Sequence, residues 1–249
     1  MSTLKTVLST KELNTQRYRE WYQRERKSKF YHPGLHIGFN VGVLGLLIGL
    51  NFYLVRSWRL SLVLVLVFIF LLGNFVVWFF HRYPLHRRMK IWTFPYDTHT
   101  VEHHRYFTYE TITYDNSRDF VAIFFPSAVI AAFALVAQPA FFFLGKFLLG
   151  EDAGHVLAGG AALYFLMYEF VHWASHLPSS HPLMKIRWLH YMRAHHRIHH
   201  NTKLMSRYNF CIVYPLMDIL LKTKFVGALP GEEVGDHFED VRKNFKEQL

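Results

Sequence analysis

Five of the eleven residues from His190 to His200, HYMRAHHRIHH, are histidine and two are arginine. Within it, HRIHH sets His196, His199 and His200 at i, i+3 and i+4, which share one face of a helix. HWASH sets His172 and His176 at i and i+4. Rings this close cannot all be protonated, because like charges repel. Neutral imidazoles converging on a point are what a metal ion takes up. HRYPLH supplies His81 and His86, five residues apart and therefore about 140° apart on a straight helix. Pro84 between them is expected to bend the chain and turn His86 back toward the cluster. HTVEHH supplies His99 and His103 on one predicted face, with His104 pointing away, available to a second metal or to none. Of the 17 histidines, 13 lie in two windows, five between His81 and His104 and eight between His172 and His200, which scattered core or surface histidines would not do.

The elements that must carry these rings are apolar. Half of the 249 residues are hydrophobic and the apolar residues come in blocks. Crossing a hydrocarbon core of roughly 30 Å needs about 20 residues. Four blocks suffice: about 34–55, 60–80, 119–149, with an expected break at Pro139, and 153–175. The predicted fold is all-α: a multi-pass integral membrane protein of about four transmembrane helices, with a helical cap (81–118 and 176–225) carrying the histidine-rich stretches. A basic segment, 1–33, precedes this membrane domain (34–225), and a tail, 226–249, follows it. Eight Lys or Arg against three Glu in residues 1–30 place the N-terminus in the cytoplasm, and with it every dense histidine stretch. No apolar run starts near Met1, so no secretory signal is expected. The formal charge of +10 fits an anionic membrane surface, and the apolar blocks exclude a nucleic-acid role. One cysteine, Cys211, excludes an internal disulfide, an iron–sulfur cluster and a Cys-based zinc finger.

The ordered series HRYPLH, HTVEHH, HWASH and HRIHH, after paired apolar spans, resembles the membrane fatty acid hydroxylase and sterol desaturase superfamily. YDNSRDFVAIFFPS and YNFCIVYPLMDILLKT are similar to segments of its fatty acid and ceramide 2-hydroxylase branch. The resemblance runs from about Asn74 to Lys224. It implies that His81, His86, His99, His103, His104, His172, His176, His196, His199 and His200 ligate two metal ions, functionally iron; zinc can occupy such a site in a structure. It implies O2 as co-substrate and oxidation of an acyl C–H bond. The second box departs from the branch pattern, with three residues rather than two before the His-His pair, which bears on His99 and His104. Sterol desaturation, sterol methyl oxidation and carotenoid hydroxylation are alternatives within the class. A metal transporter or a non-catalytic membrane scaffold are alternatives outside it.

Metal-bound histidine usually gives its second ring N–H to a carboxylate or carbonyl. Glu169 and Asp218 are the expected partners, since a carboxylate in apolar sequence is expensive unless paired. His190 and His195 are possible additional ligands; His32, His36, His155, His181 and His237 lie outside the boxes. Imidazole alone suits iron, copper or zinc. No Gly-rich dinucleotide fingerprint is present, so electrons are expected from a separate donor: a b5-type protein, a ferredoxin or a reductase. The basic residues near the boxes, Arg82, Arg87, Arg88, Lys90, Lys185, Arg187, Arg193 and Arg197, would attract an acidic donor or anionic lipid, or serve topology alone. The membrane is bacterial inner membrane or endoplasmic reticulum on this reading, and the oligomeric state is not readable.

Overall fold

The computed structural model describes residues 10–26 and 28–227. The tail from Val226 lies outside them but for its first two residues, as do residues 1–9. Every regular element is helical, with no strand among the described residues. Four helices are long and apolar enough to cross a membrane: α2 (Pro33–Tyr53), α3 (Leu60–Leu85), α5 (Ser127–Leu149) and α6 (Glu151–Ser175). Preceding them is α1 (Thr10–Trp21). Between the second and third lies α4, a helical stretch made of Phe94–Tyr96, Asp97–His103 and His104–Tyr106. After the fourth come α7 (Arg187–His199) and α8 (Leu216–Leu220).

α6 is the centre of the bundle. Its most apolar window is 67% buried, against 17% in each of the other three, which therefore turn most of their surface to lipid. Leu46 on α2, Leu64 and Phe68 on α3, and Phe143 and Phe147 on α5 are among the exposed apolar residues. Without water, hydrophobicity does not drive these helices together; close packing and internal hydrogen bonds do. α5 and α6 meet at Gly145 and Gly154. A Cβ on Gly154 would fall 2.5 Å from the Phe142 carbonyl oxygen, so only glycine permits that approach. Gly150, at φ 97°, makes the turn between them. Amides hold the rest. Asn40 donates to Phe125 O and accepts from Ser127, and Gln138 donates to Ala158 O. Asn74 donates to Tyr164 Oη and Tyr214 O and accepts from Met217 N, which ties the segment after the last histidine box to α3.

Two expectations need correction. The third span starts at Ser127 rather than near 119. Asn116 and Asp119 form a capping box that closes a separate 3-10 turn, Ser117–Ala122, and Pro126 then resets the chain. The span is also continuous through Pro139. The ring removes an N–H and crowds the carbonyl four residues back, and a π-helical turn at Phe133–Ala137 absorbs this without a break. The basic N-terminal segment packs onto the cap. Tyr18 and Tyr22 on its helical stretch are buried with Tyr106 and Phe107, just after the second box.

The ends of the helices sort themselves. α2 and α5 begin, and α3 and α6 end, at one end of the bundle, where α1, α4 and α7 cap it. His36 near the start of α2 bonds Phe125 O before α5 at 2.8 Å. His32 is explained here too: it caps α2, accepting the Leu35 N–H with Pro33 in the first turn. Met89, Ile91, Trp92, Ile186 and Trp188 are exposed beside Lys and Arg around this end, the composition of a bilayer interface.

Candidate metal centre

All ten histidines carried over by the resemblance are buried, and their Nε2 atoms meet. His81, His86, His99, His104 and His199 form one group whose ligand atoms lie within 4.8 Å of one another, and His103, His172, His176 and His196 form another. His200 joins the second: its Nε2 is 3.2 Å from that of His103 and 2.9 Å from that of His196. The groups adjoin, with the His104 and His200 rings stacked at 4.2 Å.

Local helix geometry explains the sorting. His81–Leu85 and Asp97–His103 are π-helical, and an i→i+5 helix stacks residues five apart. His81 and His86 therefore share a face, as do His99 and His104, whose Nε2 atoms are 3.1 Å apart. His104 does not point away from its neighbours, and His99 and His103, expected together, separate into different groups. Pro84 sits within the first π turn instead of producing a simple bend. On α6 the i, i+4 pair His172 and His176 stays together as expected; on α7 His196 and His200 do, but His199, expected on the same stripe, joins the first group instead.

The protonation of the rings follows from their second nitrogens. A carbonyl can only accept, so the ring nitrogen facing one carries the hydrogen. His81, His103, His172, His176, His199 and His200 donate Nδ1–H to the carbonyls of Phe210, Ala122, Ile123, Ile112, Tyr208 and Phe107. His86 donates to Thr100 Oγ1, whose own hydrogen goes to Leu85 O. In these seven rings Nε2 is a bare lone pair. Yet bare pairs face each other: His86 and His199 at 2.9 Å, His103 and His200 at 3.2 Å, His172 and His103 at 3.3 Å. No proton lies between them, so each contact is repulsive until a cation sits among the lone pairs. This donor set fits a pair of metal ions that favour imidazole, iron among them. For the rings outside the spans, burial is the leading cause that keeps them neutral. It drives His86 down to about 2 and His103 to about 4, and His99, His104, His176, His196, His199 and His200 well below the ordinary value.

The expected carboxylate partners do something else. Glu169 is buried, but it accepts the Phe125 N–H and touches no ring of either group; its other oxygen is without a partner among the described residues. Asp218 accepts from His195 Nε2 at 3.0 Å, Thr223 Oγ1, and the N–H groups of Phe210 and Cys211. Its hydrogen-bonded link to the site runs through Phe210, whose carbonyl holds His81. His195 is thus the partner of Asp218 and belongs to neither group, nor does His190. Backbone carbonyls supply most of the orientation, and no side-chain pattern announces them. Of the basic residues, Arg193 and Arg197 bond the carbonyls of Leu177 and Tyr109, and Arg82 packs over Trp78, Tyr83 and Phe210. Arg87, Arg88, Lys90, Lys185 and Arg187 remain exposed.

A cavity of about 610 Å³ opens onto the histidines from the bundle. It runs among α3, α5 and α6, and its walls are apolar. His81 and His99 of one group and His103 and His172 of the other close its inner end. Tyr22, Thr98 and Glu102, with Trp92 and Phe94, line it on the cap side.

A four-span helical bundle that brings ten neutral imidazoles to one end, in two groups beside an apolar cavity, defines an integral-membrane histidine-box protein. The chain belongs to the fatty acid hydroxylase family, whose model matches residues 66–223. Searches of curated proteins and of solved structures return no match. Family membership implies an oxidoreductase that carries out lipid hydroxylation or a related oxidation.

Proposed function

We propose that this protein uses two iron ions and O2 to hydroxylate a C–H bond in a lipid acyl chain, as in the fatty acid 2-hydroxylase branch. The reading rests on one observation: bare Nε2 lone pairs from both groups converge where an apolar cavity reaches out of the bundle. His81, His86, His99, His104 and His199 would hold one ion; His103, His172, His176, His196 and His200 the other. Bound iron supplies the ability to reduce O2, which protein side chains lack. The rest is the work of this chain. Apolar walls on α3, α5 and α6 take an acyl chain directly from the bilayer and exclude water from the reacting carbon. The carbonyl-bonded Nδ1 atoms hold the rings in one tautomer and orientation, so little reorganisation accompanies turnover. For the balance, one oxygen atom enters the C–H bond and the other leaves as water, with two electrons and two protons from a separate donor.

The histidine end lies in the cytoplasm on this reading, and the exposed Arg87, Arg88, Lys90, Lys185 and Arg187 receive an acidic donor there. Turnover with a purified b5-type donor will fall as salt is raised through a Debye length of about 10 Å at 0.1 M; turnover indifferent to salt removes the electrostatic docking. The central test is mass spectrometry of lipids from cells expressing the wild type or His196→Ala under labelled O2. The wild type will add one labelled oxygen to a lipid class and the variant will add none. A wild-type lipid profile identical to that of control cells rejects the hydroxylase reading.

A further inference from the structure

The two histidine groups hang from different parts of the chain. Four of the five rings in the second group bond carbonyls of one stretch: Phe107, Ile112, Ala122 and Ile123. Its first part, with the Phe107 and Ile112 carbonyls that hold His200 and His176, is gripped from the N-terminal helix. Arg19, only 8% exposed, sends Nε to Tyr106 O at 2.8 Å. Its Nη2 reaches Thr111 O at 2.7 Å and Thr113 O at 3.1 Å, and its Nη1 reaches Asp115 at 2.9 Å. One guanidinium thus cross-links four residues, a task suited to its rigid fork of five donors. In the first group, His81 and His199 bond the carbonyls of Phe210 and Tyr208. Asp218 fixes that segment by accepting the N–H groups of Phe210 and Cys211, with Thr223 and His195 completing its shell. Among the described residues, Arg19 makes no hydrogen bond to this second frame and Asp218 none to the first.

We propose that Arg19 is a positioning residue for the second group and Asp218 for the first, so that either ion can be lost without the other. This rests on the reading of both groups as metal sites. Without Arg19, the carbonyls of Tyr106, Thr111 and Thr113 lose their shared donor. The 107–113 stretch is then free to turn, and the rings it orients lose their common centre. Arg19 lies outside residues 66–223, so the second site is completed by a helix beyond the family match. The sequence held no signal for this role, since an arginine in a polar, basic segment reads as a solvated charge.

The test counts iron per chain in purified full-length protein by elemental analysis. The wild type will hold two ions, and Arg19→Met and Asp218→Asn one each. Combining Arg19→Met with His172→Ala will still leave one, because both strike the same site. Combining it with His86→Ala will leave none. Arg19→Lys, which keeps the charge and a single donor, guards against a variant that does not fold. Under an excess of chelator, one of its two ions will leave at least tenfold faster than in the wild type and the other at the wild-type rate. Both ions retained in Arg19→Met, both lost, or both accelerated equally in Arg19→Lys overturns the assignment. A wild type that binds no metal overturns the metal reading itself, and the two failures are distinct.

Discussion

Ala161→Phe will shift oxidation toward shorter acyl chains, and Val77→Trp will abolish it, with metal content unchanged in both. Both residues line the cavity. Ile69 and His81 mark its length on α3; twelve residues at a rise of about 1.5 Å each put them roughly 18 Å apart. Ala161 belongs to the end remote from the histidines. There the helices touch: a Cβ on neighbouring Gly160 would meet Ile69 at 2.6 Å, which leaves a larger side chain at 161 little room outside the cavity. Each methylene that a phenyl ring excludes forfeits about 0.8 kcal/mol of burial. Excluding three costs a long chain about 2.4 kcal/mol, or roughly a 50-fold drop in kcat/KM. A chain three carbons shorter does not reach the ring and is spared. Val77 lies one helical turn before His81, so an indole there denies every chain access to the reacting end, and a loss of at least 100-fold is expected. The measurement is kcat/KM across a series of acyl lengths, with iron counted in parallel. If Ala161→Phe leaves the length preference where it was, this cavity does not hold the acyl chain.

How far such a site can be read from residues alone depends on which interactions have a side-chain signature. The spans were legible because about 20 apolar residues in a row have few other uses. The start of the third was not, because Phe120, Phe124 and Phe125 are as apolar as a span but belong to the cap, behind the Asn116–Asp119 capping box. The i, i+4 pair of His172 and His176 was legible because α6 is a regular helix there. His81 with His86 and His99 with His104 were not, because a π turn changes the angular step and periodicity at 100° per residue reads their spacing as divergence. A buried carboxylate must be paired, which makes Glu169 and Asp218 the expected ring partners from sequence. The partners are carbonyls of Phe107, Ile112, Ala122 and their like, present at every position and therefore invisible in composition. The same blindness hid Arg19, whose burial is a property of the loop it grips.

Stripped of metal, the protein will lose stability steeply as the pH falls below about 6.5, the ordinary histidine value. Above it, the cap histidines are neutral in both the folded and the unfolded chain, and they contribute no pH dependence. Below it, the unfolded chain takes up protons that the buried rings refuse, so the unfolded state binds more protons and stability falls with pH. The loss continues until each folded-state value is reached, about 4 for His103 and about 2 for His86. At pH 5.5 these two rings alone cost about 3 kcal/mol, a fifth or more of the stability of a typical domain. Six further cap rings are pushed the same way by burial, so their costs add in the same direction. Bound metal opposes this, because it occupies the lone pair that a proton would take and stabilises only the folded state. The onset of acid unfolding should therefore sit lower in the loaded protein than in the chelator-treated one. Thermal midpoints in detergent from pH 8 to pH 5, with and without metal, will show a plateau and then a fall, displaced to lower pH by the metal. A metal-free midpoint that stays level from pH 7 to pH 5 would mean that the rings are reached by water, and the closed array of bare lone pairs could not be right.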